Sequence, residues 1–267
     1  MPELPDVEAF RDVLASCAEG RRIRHVEVKD SGVLHGVGAE RLRSGLEGHR
    51  FAEPERHGKW LLAPTDGPTV LLHFGMTGEL VCCSSGDPPH PHDRVVFTLG
   101  RDELRYRDQR KLKGLWYDDG SGAAVDRVLR DQGPDAMTLS RSGLTQLLSG
   151  RRGRVKTALT DQSLVAGLGN LLADEILWRA RVHPWRRADR LSDDAYRRLH
   201  TEMRRTLRSA VRAGRVPPRR SWLTGRRDDR DPKCPRCHGP LHRGRINGRS
   251  TVWCPDCQPD KEENDSA

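Results

Sequence analysis

Lys156-Thr-Ala-Leu-Thr-Asp-Gln-Ser-Leu-Val-Ala-Gly-Leu-Gly-Asn170-Leu-Leu-Ala-Asp-Glu175-Ile-Leu-Trp178 is the stretch on which the reading of this chain turns. It divides into a helix, a glycine turn and a second helix. Gly167 and Gly169 permit tight backbone geometry, and Asn170 stands at the start of the second helix. The amino terminus of a helix leaves backbone N–H groups unpaired, so with Asn170 and Lys156 nearby it is suited to hold a phosphate. The plainer reading makes Asn170 an N-cap and the glycines only a turn. The flanking sequence has to decide between the two.

On the C-terminal side the texture is helical, then basic, then cysteine-rich. Helical patterning begins near Val125 and includes Leu144-x-x-Leu147-Leu148; Ala195 to Ala213 then carries Leu199, Met203, Leu207 and Val211 on one face, with arginines on the rest. Arg215 to Asp231 is rich in Arg, Pro, Gly and Asp and predicts a linker or an irregular loop. Cys234-Pro-Arg-Cys237 and Cys254-Pro-Asp-Cys257 follow, sixteen residues apart. Two such knuckles deliver four thiolates to one tetrahedral Zn²⁺. Gly239-Pro240 and Asn247-Gly248 punctuate the span between them as a hairpin requires. Redox C-x-x-C motifs would need a βαβ context that is missing. A Cys₄ site leaves no open position for water, so this zinc is structural and supplies folding energy to a piece too small to bury much core. Arg243, Arg245 and Arg249 make the hairpin basic. From Gln258 onward the chain is polar and acidic, which predicts a disordered tail over 259–267.

On the N-terminal side, Ile23–Val28, Lys59–Ala63, Val70–Phe74, Val95–Leu99 and Leu104–Tyr106 are strand candidates broken by Gly, Pro and Asp. Repeated short strands with turn signals predict an antiparallel sandwich or barrel; Ser84 to His92, with three prolines, is a loop. Ahead of them, Val7, Phe10, Val13 and Leu14 fall at helical spacing, with Gly20 as a stop. One short helix therefore stands directly behind Met1-Pro2-Glu3. Removal of Met1 would leave Pro2 with a free secondary amine, a nucleophile that titrates near neutrality, and Glu3 beside it as an acid. A helix start with Pro and acids in its first turn is the plainer account of the same residues.

Composition narrows the class. The 267 residues hold 47 Lys+Arg against 38 Asp+Glu, a net charge of +9, and Arg predominates. Arginine's planar fork suits phosphate, so a polyanionic partner is expected, although an Arg-rich surface can also be mere solvation. There is no secretory leader and no long apolar run, which argues against secretion and membrane insertion. Cys17, Cys82 and Cys83 are scattered; adjacent Cys82-Cys83 is a poor disulfide design, and a reducing, cytoplasmic setting is expected.

The ordered set of motifs resembles the formamidopyrimidine-DNA glycosylase/endonuclease VIII family of base-excision repair. It runs from Met-Pro-Glu-Leu-Pro through His57-Gly-Lys59-Trp-Leu-Leu, His73-Phe-Gly-Met76-Thr-Gly, His92-Asp93, Arg105-Tyr106-Arg107-Asp108 and Gly133-Pro134. It ends with Leu-Gly-Asn170 and the Cys₄ finger with Arg249 ahead of Cys254. Each motif is weak alone; eight in order across nearly the whole chain are specific. The resemblance implies an α+β fold with an N-terminal antiparallel β-sandwich and flanking helices (2–125), a helix–two-turn–helix domain (126–225) and a zinc-finger hairpin (230–258). It implies a bifunctional glycosylase/AP lyase acting by β,δ-elimination on damaged double-stranded DNA, one copy at a time, with one structural Zn²⁺ and no organic cofactor. By the same carry-over Pro2 is the nucleophile, Glu3 the acid, Lys59 the helper of β-elimination and Arg249 the helper of δ-elimination. His73, Met76, His92, Arg110, Leu112, Arg151, Lys156, Asn170 and Glu175 are the expected DNA-facing set.

Departures from the family pattern bear on specificity. Leu112 stands where Phe is usual in the wedge with Met76 and Arg110, Asp6 replaces Glu, Gln109 replaces Pro, and at Arg151 Lys is more frequent. Gly214 to Lys233 is shorter than the segment that carries the loop closing over 8-oxoguanine in the formamidopyrimidine type. Oxidised pyrimidines or ring-opened purines are therefore credible substrates. A non-catalytic DNA-binding homologue is the alternative from another class; the joint presence of Pro2, Glu3, Lys59 and Arg249 argues against it.

Overall fold

The structure is a computed structural model that describes residues 1–260; the expected disordered tail lies, from 261 onward, outside the described residues. The chain forms two compact units, Met1–Asp131 and the remainder from Gln132.

The first unit begins with helix α1, Leu4–Ala18. Glu3 takes the N-cap position and Pro5 falls in the first turn, where a missing N–H costs nothing. Glu3 and Asp6 form a reciprocal capping box, in which the Glu3 N–H donates to Asp6 Oδ2 at 2.8 Å. Asp6 thus closes the cap one methylene shorter than the usual Glu. Val7, Leu14, Cys17 and Ala18 face the core, and Gly20 turns the chain at φ +72°.

Nine strands follow in this unit: β1 (His25–Val28), β2 (Leu34–His35), β3 (Glu55–His57), β4 (Trp60–Pro64), β5 (Thr69–His73), β6 (Glu79–Ser84), β7 (Asp93–Thr98), β8 (Asp102–Arg107) and β9 (Leu115–Asp118). Helix α2 (Ala39–Leu46) lies between β2 and β3, and α3 (Ala123–Leu129) follows β9. One sheet has the order β1-β7-β8-β6 and the other β2-β9-β5-β4-β3. Every pairing is antiparallel among the described residues except β2 with β9. Val26, Leu61, Leu72, Phe74, Val95, Phe97, Leu104 and Tyr106 from both sheets meet α1 in one buried cluster. Burying each such side chain contributes about 1.5–3 kcal/mol before entropy is counted, so this core fixes where the end of α1 sits. The helical patterning read from Val125 belongs in part to α3, which packs on β9; the first unit therefore runs past the expected boundary at 125.

The scattered cysteines are not all free thiols. Cys17 on α1 and Cys82 on β6 are joined in a disulfide, with Cα atoms 6.0 Å apart and 65 residues between them in sequence. Successive side chains on a strand point to opposite faces. Cys82 therefore reaches α1 while its neighbour Cys83 stays a free thiol.

The second unit holds α4 (Arg141–Ser149), α5 (Val155–Thr160), α6 (Asn170–Ala180) and α7 (Asp193–Arg212), then the hairpin β10 (His242–Ile246) and β11 (Arg249–Trp253). Gly133 N–H donates to Gln162 O and Ala166 N–H to Pro134 O, so the Gly-Pro segment braces the turn between α5 and α6. Residues 215–231 are irregular, as read, but they are packed and not a free linker: Trp222 and Leu223 are buried. The finger does not stand alone either. Cys234, Leu241, Val252 and Cys254 share a core with Trp178 and Leu223, which places hairpin and helices in one unit. No helix among the described residues is long and apolar enough to cross a membrane.

Candidate active site and DNA interface

The amino terminus is held by its helix. Glu3 is 1% exposed, so its carboxyl sits at the buried start of α1 with the cap hydrogen bonds around it. One turn further, Glu8 Oε2 accepts from Arg56 Nε at 2.5 Å, and Arg56 Nη1 donates to Gly58 O at 3.1 Å. Gly58, at φ +58°, opens the tight turn between β3 and β4, and Lys59 is the next residue. The chain Glu8–Arg56–Gly58 therefore ties the Lys59 turn to the helix that carries Pro2 and Glu3. Lys59 is largely buried.

Two loops of the same unit carry the three residues expected to act as a wedge. Met76 and Leu112 are large apolar side chains left exposed, and Arg110 Nη1 lies 3.0 Å from Met76 Sδ. Asp108 holds the loops together: its Oδ1 accepts from Thr77 Oγ1 at 2.6 Å and from the Arg110 N–H at 3.1 Å. Asp108 was legible only as part of a motif, with no role assigned. His73 sits at the end of β5, where its Nδ1 accepts from the Gly75 N–H at 3.0 Å. Burial, then the charges of Lys113 and Lys59, push the His73 pKa down to about 4. It is neutral at physiological pH, with Nε2 carrying the proton. His92 lies beside Arg94, whose Nη2 is 3.3 Å from its Nδ1.

In the second unit the glycine turn resolves against the capping account. Gly169 is the N-cap of α6 and Asn170 is the first helical residue; its Nδ2 donates to Ser250 Oγ on β11 at 3.2 Å, while its Oδ1 has no partner among the described residues. Gly167, at φ +107°, is the position that needs glycine. Lys156, Thr157, Thr160, Asp161, Gln162, Ile246, Asn247 and Arg249 line a polar recess of about 310 Å³ beside this turn. Arg249 is exposed and has no ion pair among the described residues. Lys156 differs from a surface phosphate contact, since it is 1% exposed. Its Nζ meets Asp174 Oδ1 at 2.6 Å, Thr251 Oγ1 at 2.8 Å and Ser250 O at 2.9 Å. Burial pulls the Lys156 ammonium below its usual range, against the opposing pull of Asp174. Asp174, missed in the sequence, also accepts from Arg227 Nη1 and the Val252 N–H. The signal was an acid on the apolar side of α6: a buried carboxylate needs cations, and here it gathers two. Arg151 is exposed on the loop after α4.

The four finger cysteines converge. Their sulfurs all lie within 4.8 Å of one another, with Cys237–Cys254 at 3.4 Å and Cys234–Cys257 at 3.8 Å. Tetrahedral Zn²⁺ with bonds of about 2.3 Å sets its sulfurs roughly 3.8 Å apart, so the donor set fits structural zinc. Trp178 Nε1–H donates to Cys234 Sγ at 3.3 Å and the Arg236 N–H to the same sulfur at 3.4 Å, which favours the thiolate.

Comparison with known proteins places these parts in one lineage. Residues 1–115 match the formamidopyrimidine-DNA glycosylase N-terminal domain, 132–219 the formamidopyrimidine-DNA glycosylase H2TH domain, and 231–259 the zinc finger found in FPG and IleRS. The formamidopyrimidine-DNA glycosylase of Salinispora arenicola is 37% identical over 97% of this chain and 96% of its own. The chain belongs to the formamidopyrimidine-DNA glycosylase family. The Bacillus subtilis member is 32% identical over 98% of this chain and 100% of its own. Among solved structures, a complex of Lactococcus lactis Fpg with abasic-site DNA superposes with a TM-score of 0.87. It has 26% identity over 97% of this chain and 100% of that one. A Lactococcus lactis FPG mutant bound to Fapy-dG DNA gives 0.88 at the same identity and coverage.

Within this family frame Glu175 takes a specific place. It is fully buried; its carboxylate accepts from Arg179 Nε at 2.8 Å and from the Thr224 N–H at 3.1 Å, pinning the short 215–231 segment to α6. Arg243 Nη2 pins the same segment through Arg227 O and Asp229 O. Glu175 is thus a clasp, not an exposed DNA contact. Burial raises its pKa from 4.5 to about 7, opposed by Arg179 and Thr224. A folded pKa above the unfolded one contributes stability that is complete below about pH 4.5 and lost as pH rises through 7. Glu175→Gln is expected to remove this component, worth about 3 kcal/mol by linkage. The check is the difference in unfolding free energy between pH 5 and pH 8 for wild type and variant in identical buffers; equal differences would refute it.

Proposed function

We propose that the chain is a base-excision-repair DNA glycosylase with AP lyase activity, acting on oxidised bases in duplex DNA through a Schiff base at the Pro2 amine. The observation that carries this is the capped start of α1, which sets Glu3 beside Pro2 and is tied through Glu8 and Arg56 to the Lys59 turn. The damaged nucleotide leaves the stack, because its C1′ is not open to attack inside it. Met76, Arg110 and Leu112 fill the gap; leucine serves as an apolar wedge without aromatic stacking. The Pro2 nitrogen bonds to C1′, Glu3 gives its proton to the ring oxygen as the sugar opens, and the base departs. The resulting iminium draws electrons from C2′, so loss of a C2′ proton, with Lys59 assisting, expels the 3′ phosphate. A second elimination, assisted by Arg249, expels the 5′ phosphate and frees the amine on hydrolysis. His92, Arg151, Asn170 and Arg249 hold the backbone, while Lys156, its three N–H groups taken by Asp174, Thr251 and Ser250, braces the recess from its floor. The work is done in the cytoplasm, at the nucleoid.

Leu112 and the clasped 215–231 segment support a lesion range that extends to oxidised pyrimidines and ring-opened purines. A short segment pinned at Thr224, Arg227 and Asp229 has little length left to fold over a purine.

Borohydride trapping tests the mechanism and ranks lesions in one assay, since the iminium forms on a damaged base only as that base is excised. Wild type should crosslink to duplexes holding an abasic site, an oxidised pyrimidine or a ring-opened purine, and less to 8-oxoguanine. Pro2→Gly, or retention of Met1, should suppress the crosslink. Trapping by Pro2→Gly at the wild-type rate would sink the nucleophile assignment.

A further inference from the structure

Eleven arginines stand between Ala195 and Arg227 against one acid, Glu202. Helix α7 carries six of them, and the helix sorts them. At 3.6 residues per turn Arg197, Arg198, Arg204, Arg205, Arg208 and Arg212 fall within an arc of about 120°. Ala195, Tyr196, Leu199, Met203, Thr206, Leu207 and Ala210 are buried on the opposite side, where α7 packs on α6 and α4. Apart from Arg198, whose Nε donates to Ala180 O at the end of α6, the arginine face is turned away from the helix that carries Asn170, and none of its members lines the recess beside Arg249.

The first two arginines share one carboxylate. Arg197 and Arg198 both pair with Asp194 in the first turn. The next four have no ion pair among the described residues, and Arg208 Nε donates only to the Arg204 carbonyl. Arg205, Arg208 and Arg212 are exposed, and Arg204 is half-buried. Arg204/Arg208 and Arg208/Arg212 are like charges four residues apart, an arrangement that destabilises a helix. The helix dipole offsets this only for Arg212 in the last turn, and no carboxylate among the described residues neutralises these four. A polyanion does, and the spacing suits one: from Arg204 to Arg212 the stripe extends about 12 Å, long enough to track successive phosphates along one strand.

We propose that the outer face of α7, through Arg204, Arg205, Arg208 and Arg212, binds the phosphodiester backbone of a second DNA duplex while the reaction site holds the first. Guanidinium forks recognise phosphates without reading bases, so this second site is sequence-independent and salt-sensitive. Its use is transfer between DNA segments: the protein engages a neighbouring duplex before it releases the one it has searched.

The test separates the two sites. Protein is loaded on an immobilised duplex holding a tetrahydrofuran abasic analogue, washed at low salt, and offered a fluorescent undamaged short duplex. Retention on the immobilised duplex reads the reaction site; capture of the free duplex reads α7. Wild type should capture one free duplex per protein, and R204Q/R205Q/R208Q/R212Q should lose capture at least tenfold while still cleaving an abasic duplex at the wild-type rate. The lysine quadruple, which keeps the charge, should retain most of the capture. Each phosphate contact contributes about 0.9 to the slope of log affinity against log salt, so the glutamine variant should flatten that slope by up to roughly 3–4. No capture by wild type, equal capture by the glutamine variant, or loss of capture by a lysine variant that still cleaves would each overturn the proposal.

Discussion

Glu3→Gln is expected to lower base excision by about 10²- to 10⁴-fold, the usual worth of a positioned acid, while leaving measurable cleavage of preformed abasic sites. The two activities part because protonation of the opening sugar is needed to release a base, whereas an abasic site already presents an aldehyde in equilibrium with its ring form. Glutamine is the informative replacement. Its amide oxygen can still accept the cap hydrogen bond from Asp6, so α1 should form and the melting temperature should move little. Alanine would remove proton and cap together and confuse the two effects. Single-turnover excision on a lesion duplex, set beside strand cleavage of an abasic duplex, makes the measurement. Full excision by Glu3→Gln would show that another group supplies the proton.

Removal of zinc is the second large effect. Structural zinc contributes on the order of 10–16 kcal/mol to the folding of small finger modules. Here the finger also completes the core around Trp178 and Leu223, and through β11 supplies partners to Lys156, Asn170 and Asp174. Chelation, or Cys254→Ser, should therefore do more than loosen the hairpin. Affinity for duplex DNA should fall sharply, and the fluorescence of Trp178 should change as its indole loses the Cys234 sulfur and the stacked Arg236. Stoichiometric Zn²⁺ should restore both in the chelated wild type. Unchanged affinity after complete zinc removal, checked by metal analysis, would contradict the role given to the finger.

Much of this was legible in the chain. Short apolar runs bounded by Gly and Pro gave five strands of the first unit close to their observed ends, and the amphipathic spacing gave α1 and α7. The knuckle spacing gave the metal site without help. What escaped has physical reasons. Glu79–Ser84 forms β6 although Ser84 and both cysteines blur its alternation, because pairing with β8 overrides local propensity. Helix α2 buries only Leu42 and Leu46, too narrow a stripe to stand out. The Cys17–Cys82 disulfide joins residues that only the packing of α1 on β6 makes neighbours. Lys156 reads as a surface cation and is buried because Asp174 on the next helix neutralises it while β11, far along the sequence, covers it. Asn170 reads as a cap, yet Gly169 takes that position and frees the amide to meet Ser250. Residues whose role depends on a distant partner are the ones that spacing does not reveal.

The capping box at the start of α1 has a bearing on speed. A carboxyl group on a flexible chain end would have to search its rotamers, and lose that freedom, each time a substrate arrived. Glu3 meets that loss once, when the chain folds, because its side chain is already part of the first helical turn. The acid is preorganised: its direction is set before any DNA is bound, and folding, not substrate binding, bears the entropy of aiming it.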